Sequence, residues 1–183
     1  MGREYQQLGG FYGRRCFKHS FSSIPFQEFW HMQIHQQHLQ VRWDVHDVRQ
    51  ILEEYHFIGL ADWEESKGQI RDFLEVMRVN DIVAIKHGQQ LVALAQVIGG
   101  AYNIHKDRAL CVSEEEDPLV DWIHYRRPVK ILDWAKEWQT IPQGRGTLNK
   151  CVSPGTETSQ IIIGWYEKVQ EALKAKGERV VLV

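Results

Sequence analysis

Cysteine is scarce in this chain of 183 residues. Cys16, Cys111 and Cys151 are odd in number, widely separated and without CxxC spacing, a pattern that offers neither a disulfide framework nor a zinc-ligand set. Long apolar runs are missing as well. No stretch approaches the roughly 18 apolar residues of a membrane span, and the opening MGREYQQLGG lacks the apolar core of a signal peptide. The expectation is a cytoplasmic protein with reduced thiols and no membrane partner. Nor is there a surplus of one charge: the formal net charge is -2, which argues against coating nucleic acid by bulk electrostatics and leaves that role to a local basic patch.

Catalytic signatures are lacking too. GxxxxGK[ST], GxSxG, HExxH and GxGxxG do not occur, so no phosphate cradle or nucleophile elbow is declared. The carboxylate runs Glu64/Glu65 and Glu114 to Glu116 sit in hydrophilic surroundings, whereas a general acid needs a desolvated setting. His31, His35 and His38 have no acidic or cysteine neighbour to complete a metal site and read as solvent-side histidines. No enzymatic activity, metal or cofactor is expected. A hydrolase would require a Cys, Ser or carboxylate pair in a pocket near Trp63.

What is present is ordinary soluble composition, 43% hydrophobic and 25% charged, in a length that suits one domain with a real core. Seven tryptophans exceed what such a core needs. Trp30, Trp43, Trp134, Trp138 and Trp165 read as core or half-core, which leaves Trp63 and Trp122 for another use. Residues 1–28, with Gly9, Gly10, Gly13, Arg14, Arg15 and Lys18 and no sustained period, read as an N-terminal arm; residues 29–183 read as the domain. The ending GERVVLV suggests a chain cut from a longer one.

The pattern from Phe29 alternates as FWHMQIH and predicts a half-buried strand. Val45, Val48, Ile51, Leu52 and Tyr55 fall at helical spacing behind Asp44, a plausible N-cap. FIGLA predicts a short strand, and SKGQIRDFLEVM a helix with Ile70, Phe73, Leu74 and Met77 on its buried face. DIVAIKHGQQLVALAQVIG predicts a hairpin of two apolar strands turning at HGQQ. Residues 99–121 read as a long binding loop, VDWIHYRRPVKILDW as a strand, IPQGRGTLNKCVSPGTE as loop and turn, and SQIIIGWYEKVQEALKAKG as a closing helix. That order predicts an α+β fold, a curved or barrel-like sheet flanked by helices.

FIGLADWEES poses the functional question, because it sets the largest aromatic side chain where the chain turns from a buried strand toward water. The segments FWHMQIH, ILEEYHFIGLADWEES, MRVNDIVAIKHGQQLVALAQVIGGAY, VDWIHYRRPVKIL and IPQGRGTL, in that order, resemble the EVE-like members of the PUA superfamily. More narrowly, the chain is similar to N-terminal specificity domains of McrB-type AAA+ GTPases in modification-dependent restriction. Asn80 stands where that family has a glycine. YTH domains, which read N6-methyladenine, share the layout. The resemblance implies a module that binds double-stranded DNA carrying a methylated base, of N6-methyladenine or 5-methylcytosine type, with a GTPase motor and a nuclease subunit as partners. RNA binding, as in PUA and YTH relatives, is the alternative.

By position, the resemblance makes Trp63 the first wall of an aromatic cage, Trp122 a second and Tyr102 a third or a rim. Energetics explain why a cage would be needed. Extruding a base from a duplex costs a few kcal/mol, and stacking on one aromatic ring returns about 1 to 3 kcal/mol, so two opposed walls are the minimum. Burying the methyl group adds only about 0.8 kcal/mol; finer discrimination needs polar groups at the base edge, for which Asp62, Ser66 and Asn103 are the candidates. Phosphate contacts are expected from Arg126, Arg127, Lys130, Arg145 and Lys150, with Lys86 and His87 at the hairpin tip.

Overall fold

The computed structural model describes residues 27–34, 44–64, 67–106 and 119–183. The expected arm therefore falls almost wholly outside the described residues, as do His35, His38, Trp43, Ser66 and most of the 99–121 loop. The described chain is an α+β domain, the class expected. Its elements are β1 (Phe29–Gln33), α1 (Val45–Glu54), β2 (Phe57–Leu60), α2 (Lys67–Arg71) continuing as a π-helical turn (Asp72–Val76), β3 (Ile82–His87), β4 (Gln90–Val97), β5 (Tyr102–Asn103), β6 (Tyr125–Trp134), β7 (Leu148–Lys150) and α3 (Glu157–Ala175).

The strands form one mixed sheet in the order β2-β6-β4-β3-β1-β7, with β5 paired to β6 off that path. β1 runs parallel to β3, and the other pairs are antiparallel. The hairpin is where the sequence puts it. Its strands are apolar on both sides because both faces of the sheet are covered. Val83 and Ile85 of β3, with Ala93 and Ala95 of β4, join Trp30, Met32, Val48, Ile51 and Phe73 in one core. Ile82, Ala84, Leu91 and Leu94 face the other way, against Ile162, Trp165, Tyr166 and Val169 of α3. Gly88 supplies the positive φ of 61° that the tight turn between β3 and β4 requires.

Local chemistry fixes the helix starts. The Asp44 side chain accepts from the backbone N–H groups of His46 and Asp47, while the Asp47 carboxylate accepts from the Asp44 N–H at 2.7 Å. Such reciprocal capping is worth about 1 kcal/mol. Thr156 caps α3 through the Ser159 N–H.

A second node ties β1 to β3. Asp81 is fully buried and accepts from Trp30 Nε1 at 2.8 Å, Arg78 N at 3.0 Å and Glu28 N at 3.1 Å. Burial pushes its carboxyl above the ordinary range, and the backbone donors of Arg78 and Glu28 pull back against that shift. Asn80, just before it, adopts φ 77°. That left-handed conformation suits glycine, with asparagine the next most tolerant residue, which explains how Asn80 can stand where the resemblance has glycine.

Three expectations need correction. Trp138 is 74% exposed rather than core; it sits beyond the end of β6, with the Lys136 ammonium 5.9 Å from its ring. His31 is buried instead of facing solvent, since both faces of β1 are covered. The segment read as loop and turn contains β7, which pairs with β1 through Trp30, His31 and Met32.

Candidate functional site

β2 and β6 form the scaffold at the Trp63 end of the sheet. Their ladder runs from Phe57 opposite Pro128 to Leu60 opposite Tyr125. The two strands come so close that a Cβ on Gly59 would lie 2.2 Å from Ile123 Cγ2 and 2.4 Å from the Tyr125 carbonyl oxygen. The ladder ends there: Trp63 lies three residues past Leu60, and Trp122 three residues before Tyr125 in a turn over residues 119–122. Trp63 and Trp122 are both half-buried. On the other flank of β6, Asn103 pairs with Tyr125 and the half-buried Tyr102 with Arg126. β2 and β5 thus flank β6 on either side at its Tyr125 end.

The turn that carries Trp122 is held from below. Trp122 Nε1 donates to the Leu119 carbonyl at 3.0 Å, and Ile123 N donates to the Val120 carbonyl at 3.0 Å. Arg126 then donates from Nε to the Ile123 carbonyl at 2.8 Å and from its terminal nitrogen to the Val120 carbonyl at 2.7 Å. Arg126 is 2% exposed, and its guanidinium lies over the Phe57 ring. The expected phosphate contact at Arg126 is thus replaced by a structural one.

Arg127 is corrected in the same way. It points to the opposite face of β6, is buried, and donates to the carbonyls of Phe73 at 2.8 Å and Gly99 at 3.2 Å. Adjacent arginines read as surface in a sequence, but a strand with both faces covered buries both. Lys86 is fully buried and its ammonium folds back onto the Gly88 carbonyl at 3.1 Å, so it does not reach outward from the hairpin tip; burial lowers its pKa. Lys150 is half-buried and paired with Glu28 at 2.6 Å, which takes it out of the expected set. Lys130 and Arg145 are exposed.

Of the base-edge candidates, Asp62 is exposed beside Trp63, and Ser66 lies outside the described residues. Asn103 is buried, and its side-chain oxygen accepts from the backbone N–H groups of His105 at 2.9 Å and Lys106 at 3.1 Å. That oxygen belongs to the turn and is corrected out of the edge-reading role.

Two residues that sequence reading passed over join this end. The rings of His105 and His124 meet edge to face with centroids 4.7 Å apart, and Ile104 N donates to the His124 carbonyl. Burial lowers the His124 pKa, His105 adds to that, and Asp62 and Asp121 oppose it. An imidazole ring carries two nitrogens that can serve a polar ligand as donor or acceptor. The only signal in the sequence was their spacing from Asn103 and Trp122, which means nothing until β5 and β6 are paired.

A separate cavity of about 620 Å³ opens beyond the other end of β6, lined by Asp44, His46, Arg49, Gln90, Leu91 and Glu137 among others. Two of its polar side chains are committed: Asp44 to the α1 cap, and Arg49 to Glu53 at 2.9 Å and to the Trp134 ring. Among the described residues no group of three or more His, Cys, Asp or Glu is placed to hold a metal ion, and no helix is long and apolar enough to cross a membrane.

No family model matches the sequence, and no curated protein matches it. Among solved structures, a hypothetical protein from Leishmania major is 14% identical with a TM-score of 0.41, covering 80% of this chain and 98% of that one. Human THYN1, solved in complex with DNA containing 5-methylcytosine, is 14% identical with a TM-score of 0.34, covering 82% and 80%. A protein from Pseudomonas putida is 14% identical with a TM-score of 0.33, covering 77% and 98%. Likenesses this distant identify no ligand for this chain.

Proposed function

We propose that this domain is a DNA-binding module that captures a methylated base, of N6-methyladenine or 5-methylcytosine type, by flipping it against Trp63. What supports the reading is the β2–β6 ladder that ends at the Leu60–Tyr125 pair, with the half-buried Trp63 and Trp122 each three residues along the chain from it. Two indoles closing on one extruded base would meet the energetic requirement, since one ring returns about 1 to 3 kcal/mol against a cost of a few. Tyr102 lines the rim. Asp62, with the neighbouring imidazoles of His105 and His124, supplies the polar groups that read the base edge.

Backbone affinity comes from the exposed Lys130 and Arg145 and is correspondingly modest, because only a few phosphates are neutralised. The module targets a McrB-type assembly, with the AAA+ GTPase motor and the nuclease on other domains or subunits. The deciding experiment is a binding panel in which one duplex carries N6-methyladenine or 5-methylcytosine singly, beside the unmodified duplex and a matched single-stranded RNA. Tighter binding to one modified duplex, lost in Trp63→Ala, supports the reading. Equal binding to all duplexes removes it, and a preference for the RNA replaces it with an RNA-reading module.

A further inference from the structure

The two outer strands of the sheet path, β2 and β7, are joined by an element between them. β2 leads through Trp63 into α2, and Gln69 of α2 reaches the far edge. Its side-chain oxygen accepts from Leu148 N at 2.7 Å and from Thr147 N at 2.8 Å, at the start of β7. One acceptor thus satisfies two backbone donors at an edge strand, where unpaired N–H groups would otherwise stand open.

The loop just before β7 is shaped by the same contact. Gly146 has φ 78°, and a Cβ there would lie 2.8 Å from Gln69 Nε2. Gly144 packs so that a Cβ would lie 2.9 Å from Cε1 of the buried His31. Between these two close approaches stands Arg145, exposed. An exposed arginine ordinarily loses much rotamer and backbone freedom on binding. Here the chain on both sides of it is closely packed, and Gln69 holds the two amides that follow Gly146.

We infer that Gln69 is a positioning residue that sets the Arg145 guanidinium as a phosphate contact, linking the grip on the nucleic-acid backbone to the segment that carries Trp63. The inference rests on the nucleic-acid reading above and adds a specific contact and its support to it.

The test measures affinity for the modified and unmodified duplex from about 50 to about 200 mM salt in wild type, Arg145→Ala, Gln69→Ala and the double variant. One phosphate contact contributes a slope of about 0.9 in log affinity against log salt. Arg145→Ala should thus remove about a 3.5-fold share of the wild-type loss over that range, equally for both duplexes. Gln69→Ala should weaken both duplexes in the same direction. It should also speed hydrogen exchange at the Thr147 and Leu148 amides, and add little once Arg145 is gone. An unchanged salt slope in Arg145→Ala, or fully additive effects in the double variant, overturns the inference. A Trp63-dependent preference that persists alongside such a result shows that only the Arg145 assignment has failed. Absence of that preference in wild type marks failure of the base-capture reading itself.

Discussion

The guanidinium of Arg126 lies 4.5 Å from the centroid of the Phe57 ring, inside the core and below the turn that presents Trp122. Its donors hold the carbonyls of Val120 and Ile123. Arg127, on the opposite face, holds those of Phe73 and Gly99. These two residues brace the β6 end of the domain from inside it.

Arg126→Ala and Arg127→Ala should each therefore destabilise the fold, by about 2 to 4 kcal/mol, because buried carbonyls lose charged donors and a cavity opens. Urea denaturation checks the magnitude. In the folded fraction the salt dependence of DNA binding should match wild type; a flatter dependence at wild-type stability would restore both arginines as phosphate contacts.

Gly59→Ala should destabilise by about 2 to 3 kcal/mol, since the added methyl overlaps both Ile123 and the Tyr125 carbonyl, and backbone cannot yield as a flexible side-chain end could. The strain falls on the β2–β6 ladder, which Trp63 follows and Trp122 precedes along the chain. Loss of modified-base preference should accompany the drop in stability. A variant with an unchanged midpoint would mean that β2 and β6 lie further apart than described.

His31 carries the pH prediction. Burial, aided by the charge of Lys86, lowers its pKa from 6.5 to about 4. Between those values the unfolded chain takes up a proton that the folded chain refuses, so stability falls as pH falls across that window. The loss totals about 3 kcal/mol. Chemical denaturation at pH 7, 5.5 and 4 should show this decline in wild type and a shallower one in His31→Gln. Parallel profiles would place the acid sensitivity elsewhere.

How much of this was legible in the sequence follows from where the signal resides. The hairpin at Ile82–His87 and Gln90–Val97 and the helix behind Asp44 announce themselves through apolar periodicity and a cap. β5 and β7 span two and three residues, too short to carry a period, and exist because neighbouring strands pair with them. The basic residues misled for a different reason. Charge in a sequence implies solvent, yet Arg126, Arg127 and Lys86 lie in strands whose two faces are both covered, and each finds a carbonyl there. The His105–His124 contact and the Gln69 clasp join residues distant in sequence. No local pattern encodes them.

The most direct measurement is a competition assay with folded Trp63→Ala against wild type, using the modified duplex that the panel selects and its unmodified counterpart. Losing one stacking wall removes about 1 to 3 kcal/mol. The variant should bind both duplexes with the weaker affinity wild type shows for unmodified DNA, at an unchanged salt slope. Full retention of the preference for the modified duplex in a correctly folded Trp63→Ala protein would contradict the account.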